Sequence, residues 1–318
     1  MSKRVFLIIS IDTECDKGPG WLIQRPISFR NILEGIPNGL TPVFDRYGIK
    51  PTYLLSPEVL ANAECLTCFK AVNAEFGTHL HVEFVEPNAI WDANRTKGIQ
   101  RDLSKEVEEA KLANLTRIFE KGFGYRPLSF RAGRFGLSPY TLSWLGRNGY
   151  RVDSSVTPFR THYYETGAVV NFWGQLHYPY RVNSQGLIQV PVTIINPDFS
   201  QLPIWLLRLL EDRKDLKKKI LGKLGYRSRA QWFRPYKSSG MKLIEIAESV
   251  IQSWPDDREP VLNMMFHSNE IIPAASPYCQ TWQEVEQYLN SLDEVFAYLC
   301  RNYEICSIGL GEYASFFK

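Results

Sequence analysis

The segment Phe76-Gly-Thr-His-Leu-His-Val-Glu-Phe84 constrains this chain more than any other stretch of its sequence. It holds two of the five histidines in 318 residues, separated by a single leucine. If the segment is extended, the alternation of side chains directs His79, His81 and Glu83 to one side. Imidazole and carboxylate groups arranged in this way can bind a divalent cation. The alternative is that both histidines end a buried strand and are satisfied by backbone groups.

Three further segments have the same format, an apolar run that ends in polar side chains. They are Ser10-Ile-Asp-Thr-Glu14, Ser129-Phe-Arg-Ala-Gly133 and Met264-Met-Phe-His-Ser-Asn-Glu270. The run 5–11 is rich in β-branched and aromatic residues, as expected for a strand covered on both faces of a parallel sheet. Polar groups at the carboxyl ends of such strands meet at one rim, where α/β barrels carry their chemistry.

Strand-like and helix-like patterns alternate along the chain, which is typical of βα units. Residues 102–119 carry apolar side chains at helical spacing, and Thr281-Trp-Gln-Glu284 fits a capping box at the start of a final helix. The hydrophobic content of 44% is that of a globular protein. Because no repeat, low-complexity segment or linker divides the sequence, we predict one domain over residues 1–318.

Residues 201–240 differ from the rest of the chain in charge, with eleven Lys and Arg against three acids. We predict a basic helical insertion at about 200–240, whose amphipathic helix 206–224 is either a solvated face or a peripheral contact with an anionic polymer or membrane. Nucleic acid is disfavoured because no reader motif accompanies the charge. Since no apolar run has the length of a membrane span or the features of a signal peptide, we predict a cytoplasmic protein, with peripheral contact to the inner membrane through this helix.

The polar groups at the strand ends suggest a set of catalytic side chains. Asp12 and Glu14 lie two positions apart, so both can face the rim, with their pKa values pushed apart unless a cation lies between them. A buried guanidinium needs a carboxylate partner, and we predict that Arg131 pairs with Asp12. His267 is placed as a general acid, with Asp153 expected to orient it and raise its pKa. The alternatives are solvated acids, a structural ion pair elsewhere and a core histidine.

Taken in order, five motifs resemble those of the polysaccharide deacetylase family with the NodB homology domain. They are Ser-Ile-Asp12-Thr-Glu14, Gly-Thr-His79-Leu-His81, Phe-Arg131-Ala-Gly, Asp153-Ser-Ser and Met-Phe-His267-Ser. The chain looks most like the WalW-like branch of bacterial surface-polysaccharide gene clusters, because Ser276-Pro-Tyr278 follows the last motif. The resemblance implies a distorted (β/α)7–8 barrel, a divalent metal, most often zinc, and hydrolytic removal of acetyl groups from an N-acetylated sugar polymer.

The resemblance also implies roles for individual residues. Asp12 matches the catalytic base, Arg131 the residue that orients this base, and His267 the general acid, with Asp153 behind it. The side chains expected to contact the substrate are Arg134, Asn269 and Glu270.

By the same resemblance Glu14, His79 and His81 match the metal ligands, with two departures from the commonest motifs. The family's two acids are usually adjacent, whereas Thr13 separates Asp12 from Glu14 here. The family's histidines are usually four apart, whereas these are two apart and Glu83 stands four after His79. The third ligand is therefore either His81 or Glu83.

The leading hypothesis is a cytoplasmic, metal-dependent carbohydrate deacetylase acting on an N-acetylated sugar of a bacterial surface polysaccharide, such as lipopolysaccharide, or its precursor. One rival is a catalytically silent member that binds sugar or serves as a scaffold in a glycan assembly complex and docks through the basic helix. The other is a different C–N hydrolase on the same barrel.

Overall fold

The computed structural model describes residues 3–91, 98–182, 185–197, 205–206, 208, 230–255 and 257–317. The strands in these residues are β1 (Arg4–Thr13), β2 (Pro51–Leu55), β3 (Glu75–Leu80), β4 (Ser129–Ala132), β5 (Val152–Asp153), β6 (Thr161–Tyr163), β7 (Val169–Asn171), β8 (Tyr180–Arg181), β9 (Ile188–Gln189), β10 (Ile194–Ile195), β11 (Gln231–Trp232), β12 (Val261–His267) and β13 (Glu304–Ser307).

The helices alternate with these strands, as the sequence pattern predicts. The α-helices in the described residues are α1 (Thr41–Tyr47), α2 (Pro57–Leu60), α3 (Ala63–Phe69), α4 (Lys105–Phe123), α5 (Thr141–Arg147), α6 (Gly240–Ser253) and α7 (Trp282–Asn302). A π-helical segment, Asn31–Leu40, leads into α1. Short 3-10 turns follow the strands β3, β4, β12 and β13, at Val82–Phe84, Gly133–Phe135, Ser268–Ile271 and Glu312–Ser315. Another, Gln100–Asp102, precedes α4.

The main sheet has the order β12-β1-β2-β3-β4-β5-β9-β8, and β13 pairs with the first half of β1. All neighbours in this order are parallel except β8, which is antiparallel to β9. β1 lies between β12 and β2 and is buried from Val5 to Thr13, because its continuous apolar run fits a strand covered on both faces. The predicted α/β barrel architecture is therefore confirmed as a curled, mainly parallel sheet.

The segment after β9 bridges the two ends of this curled sheet. The backbone N–H of Thr193 donates to the carbonyl of Asn263 on β12 at 3.0 Å, and the N–H of Asn263 donates to Oγ1 of Thr193 at 2.7 Å. The Asn263 side chain also donates to the carbonyls of Val190 and Pro191, at 3.3 and 3.1 Å. These bonds satisfy edge groups that an open sheet would leave unpaired.

Local sequence signals fix the ends of the long helices. Ser104 caps α4 by accepting from the N–H of Val107 at 3.4 Å, and the helix ends at Gly124, whose φ of 76° is left-handed. The predicted capping box of α7 is confirmed, since Thr281 Oγ1 accepts from the N–H of Glu284 at 3.2 Å and the Glu284 carboxylate accepts from the N–H of Thr281 at 3.0 Å.

No helix within the described residues combines the length and apolar character that a bilayer span requires. The basic helix predicted over 206–224 lies almost entirely outside the described residues, as does most of the insertion predicted at about 200–240.

Candidate metal centre

Glu14, His79 and His81 converge at the carboxyl ends of β1 and β3. One ligand atom of each lies within 4.8 Å of the others, and all three side chains are buried. The Nε2 atoms of His79 and His81 lie 3.4 and 3.2 Å from Oε1 of Glu14. Residues far apart along the chain come together here because only β2 separates β1 from β3 in the sheet. Polar groups from two strand ends thus form a single group in space.

The two imidazoles are held by their Nδ1 atoms, which leaves their Nε2 atoms directed at the shared centre. Nδ1 of His79 lies 3.0 Å from the carbonyl of Arg131, which can only accept, so this nitrogen carries the proton. Nδ1 of His81 lies 3.4 Å from the Glu83 carboxylate. Burial lowers the pKa of His79 to about 3 and also lowers the pKa of His81. Both rings are therefore neutral, the form that ligates metal ions.

One structural observation indicates that these three ligands would fit a divalent cation. His81 Nε2 is a buried acceptor for which no hydrogen-bond donor is present in the described part of the chain. Buried polar atoms of this kind are rare and need a partner. Metal-binding histidines normally pass their other ring N–H to a carbonyl or a carboxylate, as His79 and His81 do here. Three protein ligands with imidazole and carboxylate character are typical of catalytic zinc sites.

Glu83 supports His81 rather than joining the ligand group. Its carboxylate accepts two hydrogen bonds from the Arg134 guanidinium, at 2.6 and 3.2 Å. Burial alone would raise the pKa of Glu83, but the hydrogen bond from His81 and the charge of Arg134 outweigh it and hold this pKa far below its usual range. Of the two candidates for third ligand, the structure groups His81 with Glu14 and His79 and places Glu83 on the far nitrogen of the His81 ring.

Asp12 lies beside this centre, and the structure brings the predicted pair of Asp12 and Arg131 together. The guanidinium donates to Oδ1 of Asp12 at 2.6 Å and to the hydroxyls of Ser10 and Ser154 at 2.6 and 2.9 Å. Burial would raise the pKa of Asp12, but the charge and the hydrogen bond of Arg131 outweigh it and lower this pKa to about 2. The carboxylate is therefore ionised, with Oδ2 left facing the site.

His267 lies beside Asp12 at the rim, since these two residues are in register on the neighbouring strands β12 and β1. Its Nε2 lies 3.9 Å from Oδ2 of Asp12 and 3.8 Å from Oε1 of Glu14. Its Nδ1 lies 3.0 Å from Glu270, whose carboxylate also contacts the guanidinium of Arg234. Burial lowers the pKa of His267, and the hydrogen bond to Glu270 opposes that shift.

The prediction that Asp153 lies behind His267 is wrong in its geometry. The Asp153 carboxylate accepts from the hydroxyl and the N–H of Ser155, at 2.6 and 3.0 Å. Its strand, β5, pairs with β4 and β9, whereas His267 lies on β12 beside β1. Burial raises the pKa of Asp153 to about 6. Glu270 takes the position against the His267 ring that the sequence interpretation gave to Asp153.

Two of the three residues predicted to contact substrate do not reach the surface of the site. Asn269 and Glu270 are fully buried. The Asn269 amide donates to the carbonyl of Cys15 at 3.2 Å, and the Glu270 carboxylate is engaged by His267 and Arg234. Arg134 differs, because its side chain keeps 24% of its surface exposed while it pairs with Glu83. Only Arg134 of this group can meet a bound molecule.

Two cationic residues of the site were missed by the sequence interpretation. The Lys17 ammonium contacts Oε2 of Glu14, and the Arg234 guanidinium contacts Glu270. For Lys17 a signal existed, since it stands three residues after Glu14, the last residue of a segment already singled out. Arg234 follows β11 in the basic region, where nothing in the sequence distinguishes it from its neighbours.

No protein-family model matches the sequence, and a comparison with curated protein sequences gives no significant match. Several solved structures share the fold. One is assigned as a polysaccharide deacetylase of Mycobacterium smegmatis, at a TM-score of 0.58, 14% identity and coverage of 99% of this chain and 91% of that one. Another, from Pseudomonas aeruginosa PAO1, is also assigned as a polysaccharide deacetylase, at a TM-score of 0.51, 12% identity and coverage of 99% of this chain and 90% of that one. An allantoinase matches at a TM-score of 0.50 and 12% identity, with the same two coverages of 99% and 90%.

Proposed function

We propose that this chain is a metal-dependent deacetylase that removes an acetyl group from an N-acetylated sugar of a bacterial surface polysaccharide or its precursor. The observation that carries the proposal is the meeting of Glu14, His79 and His81 at one rim, beside an ionised Asp12 and an imidazole at His267. Fold likeness to polysaccharide deacetylases supports the same reaction class.

The metal would be held by Glu14, His79 and His81, and zinc suits this mixture of imidazole and carboxylate. A bound divalent ion would supply Lewis acidity, which polarises a carbonyl oxygen and activates a water molecule. The remaining chemistry belongs to the side chains of the chain itself. Their positions support hydrolysis of an amide, in which one group must take a proton and another must give one.

Asp12 is the group that takes the proton. Arg131 binds its Oδ1, so Oδ2 is the free oxygen and faces His79 and His267 at 3.9 Å. In the proposed reaction a water oxygen attacks the acetamide carbonyl carbon, and Asp12 Oδ2 accepts the proton that this water loses. Arg131 keeps Asp12 ionised and fixes the direction of its free oxygen, as a charge-assisted hydrogen bond does.

His267 is the group that gives the proton. Glu270 holds its Nδ1 and stabilises the imidazolium form, while Nε2 faces the site. The C–N bond breaks as Nε2 donates a proton to the nitrogen, which releases acetate and the free amino sugar. Arg234 and Tyr288 contact Glu270 in turn, the tyrosine hydroxyl donating at 3.2 Å, so the orientation of the ring is fixed by a buried chain of contacts.

The setting follows from the sequence resemblance to the WalW-like branch, which supports a substrate from surface-polysaccharide synthesis. We place the reaction in the cytoplasm, with the basic helix 206–224 as a peripheral contact to the inner membrane. Arg134 is the residue of the rim best able to contact the sugar, because part of its guanidinium is exposed.

A different C–N hydrolase is the second candidate, and fold likeness to an allantoinase favours it. Hydrolysis of either substrate uses a base, an acid and a polarised carbonyl, so the arrangement of Asp12 and His267 serves both. The two candidates differ in the product, which is acetate only for the deacetylase.

The test measures zinc content and acetate release together. Wild-type protein should bind one zinc ion and release acetate from N-acetylated oligosaccharides. Asp12→Asn should keep the zinc and lose about 100- to 10,000-fold in turnover, which is the contribution of a positioned base. A protein that binds zinc and hydrolyses another C–N bond without releasing acetate would favour the second candidate. Activity that survives Asp12→Asn would contradict the assignment of Asp12 as the base.

A further inference from the structure

Glu14 is shared between two kinds of partner. Its Oε1 faces the Nε2 atoms of three histidines, at 3.4 Å for His79, 3.2 Å for His81 and 3.8 Å for His267. Its Oε2 is in contact with the ammonium of Lys17. The carboxylate therefore already has a positively charged partner on the oxygen that points away from the imidazoles.

Lys17 is held in this position by several contacts. The residue is 5% exposed, and its ammonium lies 5.3 Å from the centroid of the Trp21 ring. Its backbone N–H donates to the carbonyl of Ala275 at 2.7 Å, which anchors the segment to the loop after β12. A lysine so thoroughly buried needs a paired anion, and Glu14 is the one that its ammonium contacts.

Four acids around the centre each contact a cation. The pairs are Asp12 with Arg131, Glu14 with Lys17, Glu83 with Arg134 and Glu270 with Arg234. With neutral histidines, these four pairs balance in charge before any metal binds. A divalent ion would therefore enter a site whose carboxylates are already neutralised, and it would do so next to an ammonium.

We infer that Lys17 is a resident counter-ion of Glu14 that competes with a divalent metal and weakens its binding. The inference rests on the metal site of the proposed function. Because Lys17 contacts Oε2, Oε1 is the oxygen of Glu14 that would be available to a metal. Like charges brought close in a poorly solvated site repel strongly, so the ammonium opposes the incoming ion. Lys17 would thus set the metal concentration at which the centre fills.

The test compares zinc affinity in Lys17→Met and wild-type protein by competition with a chromophoric chelator. Methionine keeps the unbranched side chain as far as its Cε atom and removes the charged ammonium. We expect the variant to bind zinc about ten-fold more tightly or better, and its metal-free form to melt at a lower temperature because Glu14 loses its partner. If the metal-free variant is unfolded, its refolding by zinc, followed by circular dichroism, gives the affinity instead.

Two controls separate this effect from a general change of charge. Lys50→Met removes a lysine that is also paired, with Glu312, but stands just before β2 at the opposite end of the barrel, and its zinc affinity should be that of wild type. In a Glu14→Gln background, Lys17→Met should tighten zinc binding less than it does in the wild-type background, because the competition for Glu14 is gone and only the repulsion between the ammonium and the metal is relieved.

Unchanged or weaker zinc binding in Lys17→Met would overturn the inference, and weaker binding would show that Lys17 orients Glu14 for the metal. An unfolded variant that zinc cannot refold would overturn it as well. If only the variant binds zinc measurably, the inference stands and the wild-type centre is kept empty by Lys17. If neither protein binds zinc, the metal-dependent function fails together with the inference.

Discussion

Two deeply buried glutamates, Glu14 and Glu108, show how differently this chain handles an acid in its interior. Glu14 is 2% exposed and Glu108 is 0% exposed. Glu108 on α4 accepts a hydrogen bond from the Gln100 amide at 3.0 Å and others from the hydroxyls of Ser138 and Thr141. Glu14 instead faces imidazole nitrogens that carry lone pairs, and its remaining oxygen contacts Lys17.

The difference is in the chemistry of the neighbours rather than in burial. Around Glu108, each neighbour can donate, so the cluster is complete without any further group and joins α4 to α5. Around Glu14, neutral imidazoles and a carboxylate oxygen present acceptors to one another, which is unfavourable unless a cation lies between them. Several buried hydrogen-bond acceptors in contact with one another indicate a metal site, whereas a buried acid surrounded by hydrogen-bond donors indicates a structural role.

The largest expected effect tests the Glu14 side of this comparison. His79→Ala should lower zinc affinity by about 1,000-fold or more, because loss of a ligand exceeds the 10- to 100-fold that loss of a supporting partner costs. The variant should remain folded, since its cavity lies at the rim. Chelator competition gives the affinity and circular dichroism the fold. Zinc affinity within ten-fold of wild type would remove His79 from the ligand set.

The next effect tests the Glu108 side. Glu108→Ala should lower the free energy of unfolding by about 3 kcal/mol, because three buried donors lose their acceptor. Urea denaturation measures this loss. Zinc affinity should not change, since Glu108 contacts no residue of the centre. A variant that kept its stability but lost zinc would reverse the comparison.

The smallest effect concerns Glu83, which stands between the two cases because it is paired with Arg134 yet supports a metal-facing histidine. Glu83→Gln should lower zinc affinity by about 10- to 100-fold, or roughly 1.4 to 2.7 kcal/mol, because His81 loses the carboxylate on its Nδ1. The same chelator competition measures it. A loss as large as that of His79→Ala would mean that Glu83 is itself a ligand.

The sequence was sufficient for the parts of this site that follow from strand ends. A parallel strand that ends in polar residues places them at a shared rim, so Glu14, His79 and His81 could be expected at one rim without coordinates, and the family resemblance suggested them as the metal ligands. The partner of Arg131 could be inferred as well, since a buried guanidinium needs a carboxylate. The barrel fold followed from the same alternation of strands and helices.

The rest depended on which strands are neighbours across the barrel. Asp153 and His267 both end strands, but β5 and β12 are not adjacent, and only the three-dimensional order of the sheet decides that Glu270 meets the His267 ring. Arg234 follows β11, which pairs with β10 in a separate two-stranded sheet, so no pattern local to it could indicate its contact with Glu270.

The guanidinium of Arg131 has a consequence for how the protein is made. It holds Asp12 and Ser10 from the first strand and Ser154 from the turn after β5, residues up to 144 positions apart in the order of synthesis. A nascent polypeptide on the ribosome cannot fix the carboxylate of Asp12 until that turn has emerged. Any N-terminal fragment that ends before this turn therefore lacks the contacts that hold Asp12, and one that ends before β12 also lacks His267.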